Sequence, residues 1–276
     1  GGGANASKKL MAAIAVLAVM FAVFAAVPAI ADDSDADAGT TADVKTVYVK
    51  HDTSITGSDG SKEKPYTTLK AAVQAENVVA GSTIILMDDV PATDYTANNN
   101  GAQGAVIVFD KALTITSIDE KNPVTVKTAF IFSNDATGTV TIKNLKFEVE
   151  NPNGAVYISN NSSNLKLIID GCTIACPTGT EYQGQGVCAV KVQSPTEVTI
   201  KNCTFTNSRT DSATVKTFAL YFEKSAKVTI DDNTFTGYPR VVRANVSDFT
   251  FTDNEIYKMI NNTTGKNSYV MQLADT

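Results

Sequence analysis

The stretch Val198-Thr-Ile-Lys-Asn-Cys-Thr-Phe205 decides how the chain folds, because it recurs. Altered copies are Val140-Thr-Ile-Lys-Asn-Leu-Lys-Phe147, Leu167-Ile-Ile-Asp-Gly-Cys-Thr-Ile174, Val228-Thr-Ile-Asp-Asp-Asn-Thr-Phe235 and Phe249-Thr-Phe-Thr-Asp-Asn-Glu-Ile256. Each copy is a short alternating strand, a polar bend and one large apolar residue. The third residues, Ile142, Ile169, Ile200, Ile230 and Phe251, fall 27, 31, 30 and 21 residues apart. One strand–turn unit at a period of this size is the mark of a solenoid. The closing residues Phe147, Ile174, Phe205, Phe235 and Ile256 then form an interior apolar column. The residues two places before them, Leu145, Cys172, Cys203, Asn233 and Asn254, form a column that changes from apolar to amide, and stacked amides can bond one another and the turn backbone.

A second set of strands lies between these copies: Ala105-Val-Ile-Val-Phe109, Ala129-Phe-Ile-Phe-Ser133, Ala155-Val-Tyr-Ile-Ser159, Ala189-Val-Lys-Val-Gln193, Ala219-Leu-Tyr-Phe-Glu223 and, more weakly, Val241-Val-Arg-Ala-Asn245. Most begin with a small residue and then alternate. Each precedes a copy of the opening motif, the first of them only the degenerate Leu113-Thr-Ile-Thr116. Strands that repeat in one order stack into parallel sheets, neighbouring coils rise about 4.8 Å, and some six coils from residue 105 on make a rod about 30 Å long. Ser268–Ala274 reads as one more coil strand. No C-terminal cap is evident, so a further coil or a partner would be needed to cover that end.

The 276 residues are 43% hydrophobic and 19% charged, which supports a sizeable core. The net charge of −6 argues against nucleic acid as the main partner, which would require a basic face. Three arginines (Arg209, Arg240, Arg243) and the lone His51 are a thin stock for acid–base or metal chemistry.

Lys8 and Lys9 precede an uncharged apolar run from Leu10 to Val27, then Ala29-Ile-Ala31 and the acidic Asp32-Asp33. This pattern fits a secretory signal in residues 1–31. If uncleaved, residues 10–31 are nearly long enough to anchor the chain in a membrane. Either way the chain is expected to be exported, to the extracellular space or the cell surface. Residues 32–43 read as an acidic flexible linker.

In the body, residues 44–276, a strand over 44–50 leads to a polar loop with Gly57-Ser-Asp-Gly60. A helix follows over Thr68–Asn77, capped by Thr67 or Thr68 and ended by Gly81, and then a strand over Ser82–Met87. The order strand, Gly-Ser-Asp-Gly-Ser, Lys64-Pro-Tyr-x-Thr-Leu, Gly81-x-Thr-Ile-x-Leu resembles the N-terminal cap of secreted right-handed parallel β-helix proteins, the pectate-lyase-like superfamily with its adhesin-like surface members. The likeness is specific over residues 47–87 and is a pattern only thereafter. It implies an all-β right-handed parallel β-helix with a short N-terminal capping helix, cap and first coil in 44–90 and coils in 91–276. It also implies that the helix plugs the open end of the solenoid.

Solenoids carry function in their longer loops. Because the coils stack, the loops after the closing apolar residue stack too. Glu181, Tyr182, Gln183, Arg209, Asp211, Tyr238 and Arg240 are thereby expected on one polar, aromatic-bearing surface suited to a polysaccharide or cell-surface glycan. A polysaccharide lyase or glycoside hydrolase is the alternative, and a structural envelope subunit a further one. A lyase would hold Ca²⁺ on acids of one sheet, and an inverting hydrolase needs carboxylates about 6.5–9.5 Å apart. No other cofactor is expected. The acids to inspect are Glu181, Asp211, Asp231 and Asp232, although acids at a polar bend commonly serve the turn. Lys143, Asp170, Lys201 and Asp231 read as a cross-strand charge ladder.

Cys172 and Cys203 fall in one column of adjacent coils, close enough to bridge but seldom well oriented, so buried thiols are favoured. Cys176 and Cys188 bracket residues 177–187 and are placed to staple them. Of four N-x-[ST] triplets, those at Asn161 and Asn262 are the better glycosylation candidates, and Asn202 reads as too enclosed.

Overall fold

A computed structural model describes residues 43–98, 105–158, 164–178, 186–194, 196–209, 216–260 and 268–274. The chain divides into Gly1–Thr41 and Ala42–Thr276, and all described residues belong to the second unit.

Three sheets wind through that unit, the first from Thr46, the second from Ala97 and the third from Thr125. The opening motif builds the first, in the order Thr46–Val49, Thr83–Leu86, Thr114–Ser117, Gly138–Lys143, Leu165–Asp170, Glu197–Lys201, Lys227–Asp231, Phe249–Thr252. The closing half of the motif builds the third: Thr125–Val126, Lys146–Phe147, Thr173–Ala175, Thr204–Thr206, Thr234–Thr236, Glu255–Tyr257. Between them lies the second sheet: Ala105–Phe109, Ala129–Phe132, Val156–Ile158, Val187–Val192, Thr217–Ser225, Arg240–Val246, Tyr269–Ala274, with Ala97–Asn98 antiparallel at one edge. Every other pairing between these strands is parallel. The chain thus visits the sheets in rotation and returns to each one coil further on, which is the architecture the repeat predicts. The strand Tyr269–Ala274 does continue the second sheet.

The polar bend is a left-handed turn in every copy: φ is +49° at Asn144, +65° at Gly171, +54° at Asn202, +53° at Asp232 and +51° at Asp253. Only Gly, and to a lesser degree Asn and Asp, enter that region readily, which is why these residue types occupy the column. Asp232 and Asp253 are therefore turn residues.

Inside, the predicted apolar column is continuous. Phe147, Ile174, Phe205, Phe235 and Ile256 are paired strand to strand, and Phe205 stacks on Phe235 at 4.9 Å. Beside it, Cys203 N–H donates to Asn233 Oδ1, and Asn233 N–H to Asn254 Oδ1, both at 2.9 Å. Asn233 Nδ2 donates to the carbonyls of Ile200 and Asp231. The amide column is structural.

The helix is shorter than expected, Leu69–Gln74. The Thr68 hydroxyl caps it by accepting from Ala71 N–H at 3.0 Å, and Leu69, Ala72 and Val73 bury their side chains in the core. The helix ends at Ala75, whose extended backbone breaks it well before Gly81. His51 fastens the cap from the side. Its Nδ1 lies 3.1 Å from Asp88 Oδ1 and its Nε2 2.7 Å from Asp94 Oδ2, while Asp94 also accepts the N–H groups of Leu69 and Lys70 at the helix start.

Candidate functional site

The second sheet differs from the other two in what it turns outward. In register across four adjacent coils stand Tyr157, Lys191, Tyr221 and Arg243, followed by Gln272. Their strand neighbours Val156, Val190, Leu220 and Val242 face the core and are fully buried. Alternation therefore projects the aromatic and cationic residues to the other side. Gly154 sets the start of the first of these strands. Its φ is +94°, and a Cβ there would sit 2.1 Å from the Ala189 carbonyl oxygen, so no other residue fits this approach.

The ladder lines an open groove of about 440 Å³ running across the strands. Lys191 is only 8% exposed. Its Nζ donates to Asn153 Oδ1 at 3.0 Å and lies between two rings, 5.5 Å from the centre of Tyr157 and 5.8 Å from that of Tyr221. The Arg243 guanidinium sits over the other side of Tyr221, 5.4 Å from its centre, and is exposed. Along the edge, Gln193 Nε2 donates to Glu223 Oε2 at 2.6 Å, and Tyr157 Oη donates to Gln193 Oε1 at 3.3 Å. Desolvation raises the phenol pKa values of Tyr157 and Tyr221, and the Glu223 carboxylate adds to both. Both tyrosines remain neutral hydrogen-bonding groups at physiological pH. Burial pushes the Cys188 thiol in the groove wall up to about 12 against the opposing pull of Lys191 and Arg243, so it is not a nucleophile.

The arrangement offers aromatic edges, three cations (Lys191, Lys216, Arg243), a carboxylate and two amides within one concave surface. That mixture suits a ligand with both ring C–H faces and polar substituents. Glu223 is the carboxylate lining the groove among the described residues. Also among the described residues, no group of three or more His, Cys, Asp or Glu side chains is placed to hold a metal ion.

The residues predicted from the loops fare differently. Glu181, Tyr182, Gln183 and Asp211 lie outside the described residues, as do Asn161 and Asn262 and the apolar run 10–31. Within the described residues no helix is long and apolar enough to cross a membrane. Tyr238 is not on the surface. It is 1% exposed, its hydroxyl donates to the Thr206 carbonyl, and burial drives its pKa well up. Gly237, at φ +79° against the Asn207 carbonyl, turns the chain so that the ring fills the core. Arg209 is also buried, donating to the Pro177 carbonyl at 2.6 Å. Arg240 is buried between the rings of Phe218 and Tyr269, 5.7 and 5.9 Å from their centres. These three are packing residues and form no exposed loop surface, although Phe218, beneath Arg240, lines the groove.

Asp231 and Asp232 lie on the first sheet and its turn. Asp231 accepts from Thr252 Oγ1 at 2.5 Å and continues the ladder in which Lys201 pairs with Asp170 at 3.5 Å. All four cysteines are buried thiols, so Cys176 and Cys188 are not bridged. Their side chains belong to the packed walls rather than to an exposed staple. Asn202 is exposed, contrary to expectation, because the left-handed turn lifts it outward, where its Nδ2 donates to Asp170.

A family model described as the right-handed beta helix region matches residues 129–268, just over half of the chain. The chain belongs to this family. The match spans every groove-lining residue named above, and the parallel three-sheet winding agrees with it. No curated protein and no solved structure matches the chain.

The groove residues lie on strands, where the apolar alternation dominates the sequence pattern, and not in the polar loops. The signal was present: the third residues of the second strand set read Tyr157, Lys191, Tyr221, Arg243, and the fifth residues Gln193, Glu223, Asn245.

Proposed function

We propose that this β-helix protein is an exported, adhesin-like surface protein that binds glycan in the groove of its second sheet. The observation that carries the reading is the Tyr157–Lys191–Tyr221–Arg243 ladder, open to solvent at Arg243 and edged by Gln193 and Glu223. Aromatic edges take the C–H faces of sugar rings, while the cations and the amide take hydroxyls and acids. The polar loops beside the strands and the N-terminal apolar run with its Ala29-Ile-Ala31 exit support display outside the cell. An inverting hydrolase would need a second carboxylate facing Glu223. Of the acids that the sequence offers for that role, Asp231 and Asp232 serve a strand ladder and a turn elsewhere, and Glu181 and Asp211 lie outside the described residues.

The test is a glycan array probed with the residue 44–276 unit and its Tyr221→Ala variant, with Thr199→Ala on the first sheet as a control. Retention of specific glycans by the parent and the control, and their loss by Tyr221→Ala, is expected. Equal retention by all three proteins would refute the groove as the site.

A further inference from the structure

We infer that the groove reads an acidic glycan in which the acid recurs on every second sugar, with Lys191 and Arg243 receiving successive acids. This rests on the glycan reading above and adds the ligand's charge and its period.

Three observations lead there. The first is uncompensated positive charge. Lys191 is nine-tenths buried, and its ammonium has three N–H donors. Asn153 accepts one of them, and no carboxylate pairs with Lys191 among the described residues. Removing an ammonium from water without an anion is costly, and rings recover only part of the loss. Arg243 likewise has an aromatic contact and, among the described residues, no carboxylate partner. The lining carries Lys191, Lys216 and Arg243 against Glu223, an excess of positive charge in a chain whose net charge is −6. A bound oxyanion supplies what these groups lack.

The second observation is alternation. Cations and tyrosines take turns from coil to coil, because the register pairs Tyr157 with Lys191, Lys191 with Tyr221, and Tyr221 with Arg243. Lys191 and Arg243 are therefore two coils apart, about 9.6 Å at about 4.8 Å per strand. That is close to the span of one disaccharide in an extended chain. A glycan lying along the groove meets a cation, then a tyrosine, then a cation, so its acids are best placed on alternate sugars.

The third is Glu223. It occupies the neighbouring outward column, fixed by Gln193 at 2.6 Å, and its charge is felt at both tyrosines. An acid on the sugar opposite Tyr221 would meet this carboxylate, so a chain with an acid on every sugar is disfavoured. Carboxylate and sulfate share the chemistry required.

Isothermal titration with defined hexasaccharides separates these possibilities. The set comprises an alternating N-acetylglucosamine–glucuronate chain, a uronate-free galactan-type chain sulfated on alternate sugars, a homopolymeric galacturonate and a neutral β-linked glucan. One or both alternating chains should bind about tenfold more tightly than the neutral chain, the scale of one charge-assisted hydrogen bond, and more tightly than the homopolymer. The arm that binds identifies carboxylate or sulfate. Arg243→Gln, an exposed change that spares the fold, should lose about that tenfold for the alternating chain and weaken neutral binding by clearly less. A homopolymer that binds as well as the alternating chains overturns the period. Equal binding of the neutral chain overturns the acidic assignment while leaving glycan binding intact. Failure of all four to bind overturns both readings.

Discussion

Lys191 and Tyr221 occupy paired positions on adjacent strands, and the Lys191 ammonium sits 5.8 Å from the Tyr221 ring centre, with Tyr157 on its other side at 5.5 Å. A buried cation held by two rings and one amide is poorly compensated for stability. Replacing it with an apolar side chain of similar length should therefore be neutral or favourable to folding. Lys191→Met is expected to hold or raise the unfolding free energy by about 0–2 kcal/mol in chemical denaturation, while abolishing acidic-glycan binding. A large loss of stability would mean that the lysine is structural.

The cap should respond to pH. Burial alone lowers the pKa of His51, but its hydrogen bonds to Asp94 and Asp88 and their charges outweigh that, leaving it raised above the ordinary 6.5. A group with a raised folded-state pKa contributes stability that is fully present below about 6.5 and is lost as pH climbs through the higher folded value. Asp88 and Asp94 face the ring, and Lys50 pairs instead with Asp52 at 3.3 Å. Hydrogen exchange in Leu69–Gln74 should accelerate beyond the intrinsic rate as pH rises above about 6.5. In His51→Gln that extra dependence should vanish.

The amide column predicts an asymmetric mutational cost. Asn233→Ala leaves the buried Cys203 N–H and the Ile200 carbonyl without their side-chain partner. It should destabilise by about 2–6 kcal/mol, counting two orphaned groups at about 1–3 each. Cys203→Ala removes a small buried thiol and the weak sulfur acceptor of the Cys172 N–H at 3.4 Å, and should cost about 1–2 kcal/mol. Urea titration of the two variants orders them.

Thiol chemistry tests the packing of the groove wall. With Cys188 pushed up to about 12 and all four thiols buried, iodoacetamide at pH 8 should leave the native protein unmodified over hours and label four sites once it is unfolded. Mass spectrometry reads both states. Labelling of only two sites in the unfolded, unreduced protein would reveal a disulfide.

The fold could be read from the sequence because it repeats: a period-two strand, a bend restricted to Asn, Gly and Asp, and a large apolar residue at a fixed offset leave one way to stack. The column Phe147–Ile256 follows from alignment alone. The site was less legible. Tyr238 and Arg240 flank Pro239 after a glycine, a context typical of exposed turns, yet both pack inward. Burial in a coil depends on which way the turn delivers the side chain, and local composition does not encode that. Lys191 and Tyr221 lie in strands whose apolar neighbours dominate the pattern, so their outward stacking emerges only when the coils are brought into register.

The central claim is that the ladder on the second sheet binds glycan. The most direct measurement is the tyrosine-ring NMR spectrum of the residue 44–276 unit titrated with a glycan retained on the array. Saturable shifts confined to Tyr157 and Tyr221, among the nine tyrosines of the chain, with Tyr48, Tyr66 and Tyr257 unmoved, are predicted. Shifts at Tyr257 or Tyr66 with Tyr221 unmoved would contradict the account.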